Sequence, residues 1–283
     1  MPESARFSRM IAYHSNRTIR MLLAYRFERM DIMKIISVTE DYLEKEHICC
    51  AISNNDDCQV SSKKAWLKDR FKDGLVFLKG DMRGKCFIEY IPAEKAWAPV
   101  DAGGYMYIDC LWVSGQFKGH GYSNLLLDAC IKDSKAKKKQ GLVILSSKKK
   151  QAFLADPKYL EYKGFQIADT ADPQYVLYYL PFMKNAEKPH FKESVRNPKI
   201  KDKGFVLYYA HQCPFTAKYV PIIEEIAKDR KVPFKAIRFE SAAEAQKAPS
   251  PSASYSLFYN GKFITHEIQS DKKFEKLLMD LGL

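Results

Sequence analysis

The chain has 283 residues, about twice the usual single-domain length, and its 46% hydrophobic and 28% charged residues give it the composition of a folded, two-domain protein. No run approaches the roughly 18 uninterrupted apolar residues that a membrane-spanning helix needs, so a soluble, cytoplasmic protein without a membrane partner is expected. Of the net charge of +12, ten charges fall in residues 1–32 and 131–150, which marks two local features and argues against a nucleic-acid-binding face.

The seven cysteines (49, 50, 58, 86, 110, 130 and 213) lie mostly in apolar runs without C-x-x-C spacing. They read as reduced thiols, with neither a disulfide framework nor a metal site. His120 and His211 have no second ligand at metal spacing.

Residues 1–32 contain six Arg and no Lys, whereas residues 33–283 contain five Arg and 35 Lys. This segment is expected to be an extension outside the core. A transit peptide is the alternative, and Glu3, Glu28 and Asp31 count against it.

From Met33 onward strands and helices alternate. Residues 35–38 predict a strand, 41–53 a helix with Asp41 near its N-cap, and 63–73 a helix ended by Gly74. Residues 75–79 and 85–91 predict a hairpin, and 105–113 a longer strand. A helix is expected over 121–138, with apolar positions Leu125, Leu126, Ala129 and Cys130. Residues 141–145 form an apolar strand. Residues 151–163 read as a helical stretch interrupted by Pro157, and strands at 166–168 and 175–180 follow. Residues 183–203 are polar, carry Pro189 and Pro198 and lack periodicity, so they are expected to be a linker. Beyond it a β-α-β-β-β-α pattern is predicted: strand 205–210, helix 214–229, strand 232–240, a hairpin of 255–259 with 262–266 across Asn260-Gly261, and helix 271–281.

The most informative segment is Ser114-Gly115-Gln116-Phe117-Lys118-Gly119-His120-Gly121-Tyr122, a Gln-x-x-Gly-x-Gly turn between a strand and a helix. Helix N-terminal N–H groups lack intrahelical acceptors and carry the positive end of the macrodipole, so they attract a polyanion. The acidic residue that a dinucleotide fold needs for the ribose is absent, as is the G-K-[ST] of a nucleotide P-loop.

With its β-α-α-β-β-β-α-β-α-β-β order over residues 33–182 and its Gly164-Phe165, this segment resembles the GNAT superfamily of N-acetyltransferases. The resemblance implies an α+β fold, a mixed central sheet flanked by helices, with acetyl-CoA as cosubstrate. Backbone amides of Lys118, Gly119, His120, Gly121 and Tyr122 would hold the pyrophosphate, with Gln116 supporting the turn. Leu111, Trp112 and Val113 would face the pantetheine arm, and lysines 135–139 and 148–150 are candidates for the 3′-phosphate.

Acetyl transfer to an amine needs a base for the amine proton and an acid for the departing thiolate. Asp109, on the strand leading into the turn, is the candidate base. Glu89 on the neighbouring strand could reach the same cleft, and a solvent-facing strand position is the favoured reading. Tyr159 and Tyr162 are both candidate acids, because Leu160 stands where the family commonly has Tyr. The aromatic segment 90–107, with Trp97, suggests an apolar cleft wall for an amine-bearing small molecule or peptide.

Cys213, in Gln212-Cys213-Pro214-Phe215-Thr216, lies between a strand end and a helix start, a position expected to lower its pKa. The C-terminal segment resembles a small thioredoxin-like domain without the resolving thiol, since Thr216 replaces it, and Ala253 stands where such folds carry a cis-proline. The combination is similar to the YoaP-like acetyltransferases, with residues 204–283 as the C-terminal domain. Two alternatives stay open: a non-catalytic acyl-CoA-binding or interaction protein, and a thiol-redox protein using Cys213.

Overall fold

The computed structural model describes residues 33–48, 54, 56–196, 198 and 200–283. Residues 35–283 form one compact unit. Along the chain come strand β1 (Ile35–Val38), helix α1 (Cys58–Phe71), β2 (Val76–Gly80), β3 (Cys86–Pro92), β4 (Val100–Asp101) and β5 (Tyr105–Val113). Helix α2 (Tyr122–Ala136), β6 (Gly141–Ser147), α3 (Pro157–Tyr162), β7 (Gln166–Ala171) and β8 (Tyr175–Pro181) follow. The remainder is β9 (His190–Phe191), α4 (Glu193–Arg196), β10 (Phe205–Tyr209), α5 (Phe215–Asp229), β11 (Phe234–Arg238), α6 (Ala242–Ala245), β12 (Tyr255–Tyr259), β13 (Lys262–Thr265) and α7 (Asp271–Asp280).

Seven strands make one mixed sheet in the order β1-β2-β3-β5-β6-β8-β7. Only the β5–β6 pair is parallel; the other neighbours are antiparallel. Four strands make a second sheet, β11-β10-β12-β13, in which β10 and β11 run parallel. This is the expected α+β arrangement. The segment 183–203 contains β9, which pairs with β4, and the single turn α4, whose Arg196 meets Asp169 at the end of the first sheet.

Local chemistry explains the helix ends. The Asp57 side chain accepts the Gln59 N–H at 2.8 Å and starts α1 earlier than its apolar pattern suggests. Pro157 does not interrupt a helix. It opens α3 at the first position, where its missing N–H costs nothing, and Asp156 accepts the Lys158 N–H at 3.1 Å. The helix expected over 41–53 is a 3-10 turn, Glu40–Tyr42, followed by further turns to residue 46; residues 49–53 lie outside the described ones. Asn260 and Gly261 take φ of +47° and +78°, the left-handed pair a tight hairpin demands.

Helix α2 buries Leu126, Leu127 and Cys130, each large aliphatic contributing about 1.5–3 kcal/mol of burial. An apolar cluster runs from Phe77 and Phe87 in the first sheet through Tyr175 to Phe239 and Ala253 beside the second. Helix α1 packs against α5, which brings the N-terminal turn of α5 to the face of the first sheet.

Candidate active site

Strand β5 pairs with β6 only where Tyr105–Ile108 faces Gly141–Ile144. Beyond that point β5 stays on β3 as far as Val113, while β6 stays on β8 as far as Ser147. The two strands splay, and Ala155 takes the vacated edge of β6 at Ser146. Among the described residues, the corresponding edge of β5 over Leu111–Val113 has no strand partner, so the backbone groups that point away from β3 there can meet a ligand. The β3–β5 register shifts between Glu89↔Cys110 and Tyr90↔Ile108, which leaves Asp109 as the extra, bulged residue. A cavity of about 460 Å³ occupies the splay, lined by Leu111, Trp112, Leu145 and Phe153 on one side and by Gln212, Cys213 and His266 on another.

Two residues after β5 ends, at Gly115, the chain enters the glycine turn. Gly115–Phe117 forms a 3-10 turn, and Lys118 N–H closes on the Gly115 carbonyl at 3.3 Å. Gly119 and Gly121 take φ of +82° and +76°, conformations that L side chains rarely adopt, and Gly121 is the N-cap of α2. A Cβ at either position would meet nothing within 4 Å. The glycines are therefore required by backbone conformation, and the space in front of them is empty. Among the described residues, no backbone hydrogen bond uses the N–H groups of Gly119, His120, Gly121 or Tyr122. Four donors at a helix N-terminus facing open space fit a pyrophosphate. Lys118 and Gln116 are exposed. Lys137, Lys139 and Lys150 are engaged by Asp133, Glu94 and Asp156.

The chemistry-bearing groups gather at the bulge. Glu89 faces inward, contrary to the solvent-facing position expected, and is 1% exposed. Lys63 Nζ donates to both of its oxygens, at 2.8 and 2.6 Å, and to the Gln212 carbonyl at 2.8 Å. Trp66 Nε1 donates to Glu89 Oε1 at 3.4 Å. Asp109 accepts from Gln212 Nε2 at 2.9 Å. Burial raises the Asp109 pKa well above the usual carboxylate range, and the Glu89 charge adds to the rise; Lys63 and the Gln212 hydrogen bond oppose it.

Cys213 lies in the same cavity, and the expected lowering of its pKa does not occur. Burial pushes the thiol up to about 11, outweighing the Phe215 amide and the Lys63 charge. Tyr159, half-buried, places its hydroxyl 3.3 Å from Asn124 Oδ1 on α2, and its pKa is raised by burial to about 12. Tyr162 is 78% exposed, and neither tyrosine lines the cavity itself. The geometry thus separates two tyrosines that the sequence leaves equivalent. Trp97 and Tyr107 line the cavity, whereas Tyr90 turns to Asp133 on α2. Among the described residues no His, Cys, Asp or Glu cluster could hold a metal. Lys63, Gln212 and His266 carry no sequence signal, because their partners are 26 to 149 residues away.

Comparison with known proteins places the chain in a family. The chain is 43% identical over 251 residues to the "Uncharacterized N-acetyltransferase YoaP" of Bacillus subtilis (strain 168), covering 88% of this chain and 100% of that protein. The chain belongs to the YoaP family of N-acetyltransferases. A YoaP-like family model matches residues 233–276, within the C-terminal segment. Solved structures similar to this chain include a ribosomal-protein-alanine N-acetyltransferase from Brucella melitensis, with 16% identity, 53% of this chain and 100% of that one covered, and a TM-score of 0.40. Another is a GNAT family acetyltransferase from Brucella melitensis in complex with acetyl-CoA, with 14% identity, coverage of 55% and 92%, and a TM-score of 0.35. The enzyme class read from the sequence, an N-acetyltransferase with a YoaP-like C-terminal part, stands. No helix among the described residues is long and apolar enough to cross a membrane.

Proposed function

We propose that this YoaP-family enzyme moves an acetyl group from acetyl-CoA to a primary amine of a small molecule or peptide, by direct transfer in a ternary complex. The observation that carries the reading is the path of β5. One strand presents Asp109 at its bulge, then an open backbone edge over Leu111, Trp112 and Val113, and runs into the glycine turn. A pantetheine arm lying along that edge joins the reacting centre to a pyrophosphate at α2.

Acetyl-CoA supplies the activated acetyl group when bound. The N–H groups of Gly119, His120, Gly121 and Tyr122 hold the pyrophosphate, with Lys118 adding charge and Gln116 supporting the turn. Asp109 takes the amine proton, through water, and the rise in its pKa on burial makes it a stronger base than an exposed carboxylate. Tyr159, whose phenol keeps its proton to about pH 12, gives a proton to the departing thiolate. Tyr162 has no role in the cleft. Residues 33–182 are the transferase domain, 183–203 the connection and 204–283 a thioredoxin-like lobe that closes the acceptor side; the expected extension, residues 1–32, lies outside the described residues. Cytoplasmic location fits described cysteines that are thiols, none in a disulfide. No metal, membrane or nucleic-acid partner is needed.

The test is calorimetric titration of the full-length chain with acetyl-CoA, beside Gly121→Glu, which puts a negative side chain where the pyrophosphate sits. Saturable binding that is lost in a folded Gly121→Glu variant, with amine-dependent thiol release lost in Asp109→Asn, supports the reading. No binding by the folded wild-type chain sinks it. Tight binding without turnover on any amine would make the protein an acyl-CoA-binding module.

A further inference from the structure

We infer that the acceptor taken by this cavity is an amine carrying one positive charge on an otherwise uncharged, largely apolar body, with a hydroxyl that reaches His266. The inference rests on the transferase reading above and goes on to name its substrate class.

Charge counting carries it. Among the described residues, Lys63, Glu89 and Asp109 supply all the formal charges in the cavity lining. Glu89 is matched by two hydrogen bonds from Lys63, and Lys63 gives a further one to the Gln212 carbonyl. Asp109 is left as the one charge that an incoming ammonium can neutralise. A second ammonium, as on a polyamine or an aminoglycoside, would lie against Phe87, Trp97, Trp112, Phe153 and Ile268 with no carboxylate to meet it. A carboxylate on the acceptor, as on an amino acid, would face Glu89 and Asp109, and the cation present is already committed.

Two unsatisfied polar atoms on the same walls add a second requirement. His266 is 3% exposed, and its Nε2 donates to the Ala152 carbonyl at 3.0 Å. A carbonyl only accepts, so the ring proton is on Nε2 and Nδ1 is left as an acceptor, with no partner among the described residues. Burial lowers the His266 pKa and keeps the ring neutral. Trp97, 7% exposed, has an indole N–H that likewise lacks a partner. Buried orphan groups of this kind are normally satisfied by a ligand or by water. A ligand hydroxyl can donate to Nδ1.

The experiment compares kcat/KM of the full-length enzyme for 2-phenylethylamine, tyramine, spermidine and L-phenylalanine by thiol release, with acetyl-CoA binding measured in parallel. The expected result is about a 100-fold preference for the two aromatic monoamines over spermidine and L-phenylalanine. Tyramine should exceed 2-phenylethylamine about five-fold. In His266→Phe, which removes the Nδ1 acceptor and supplies no other, that ratio should fall to about one while 2-phenylethylamine is still acetylated. A preference under ten-fold overturns the charge argument, and a tyramine ratio of one in the wild type overturns the assignment to His266. If acetyl-CoA binds but neither aromatic amine binds or is acetylated, the substrate class is wrong while the transferase reading survives. If acetyl-CoA does not bind, both fail.

Discussion

The carboxamide of Gln212 donates to Oδ1 of Asp109 at 2.9 Å across 103 residues of sequence. Gln212 lies in the turn that opens α5, and Asp109 is the bulged residue of β5. The C-terminal segment therefore reaches the proposed catalytic base directly, and its hydrogen bond favours the charged form of that base.

Removing that bond has a predictable sign. In Gln212→Ala the carboxylate loses a stabilising donor, while burial and the neighbouring Glu89 charge continue to favour the protonated form, so the pKa rises further. A base must be deprotonated to act, so the acid limb of the kcat/KM profile should move to higher pH. A hydrogen bond to a charged group is worth roughly 1.5–3 kcal/mol, so the acid limb should move up by about one to two pH units, and activity lost on that limb should recover as pH is raised. A loss that is the same at every pH would reduce Gln212 to a packing residue.

Lys63 and Glu89 make a buried pair, each 1% exposed. Replacing Lys63 by Met leaves the buried Glu89 carboxylate without its cation. Breaking a buried pair on one side costs about 3–5 kcal/mol, which at roughly 2–4 °C per kcal/mol lowers Tm by about 10 °C. The double variant Lys63→Met/Glu89→Gln removes the stranded charge and should regain more than half of that loss. Thermal melts of the two variants decide the point: a single-variant loss under about 1 kcal/mol would mean that water or another group satisfies Glu89.

What the sequence reveals divides along local and long-range lines. The span of β5, the Asn260-Gly261 hairpin and the Gly119–Gly121 turn are legible because the signals are local: apolar runs bounded by turn residues, and backbone angles that only glycine or asparagine adopts cheaply. Pro157 is ambiguous in sequence, since proline both breaks helices and begins them, and the Asp156 cap decides it. The 41–53 segment has helical composition but forms only short turns over its described part. Glu89 appears on an alternating strand whose outer face is expected to meet solvent, yet α1 and the α5 turn cover it. Lys63, Gln212 and His266 become site residues only through contacts between distant segments. Of the two tyrosines near Gly164, helix phase alone places Tyr159 toward Asn124 and Tyr162 in water.

Cys213 shows the same division and gives the last prediction. The helix N-terminus that follows it is a local, legible reason for a low pKa, but burial is stronger and raises the thiol to about 11. At pH 8 only about one molecule in a thousand would carry a thiolate there, and thiolate is the reactive form. In iodoacetamide labelling of the folded protein mapped by mass spectrometry, the exposed Cys58 should be modified long before Cys213. Labelling of Cys213 should rise about ten-fold per pH unit up to pH 10, for as long as the fold holds. Cys213→Ser should keep acetyltransferase activity within a few-fold, because a neutral hydroxyl replaces a neutral thiol. Rapid labelling of Cys213 at neutral pH, together with loss of activity in Cys213→Ser, would turn attention back to thiol chemistry in this cleft.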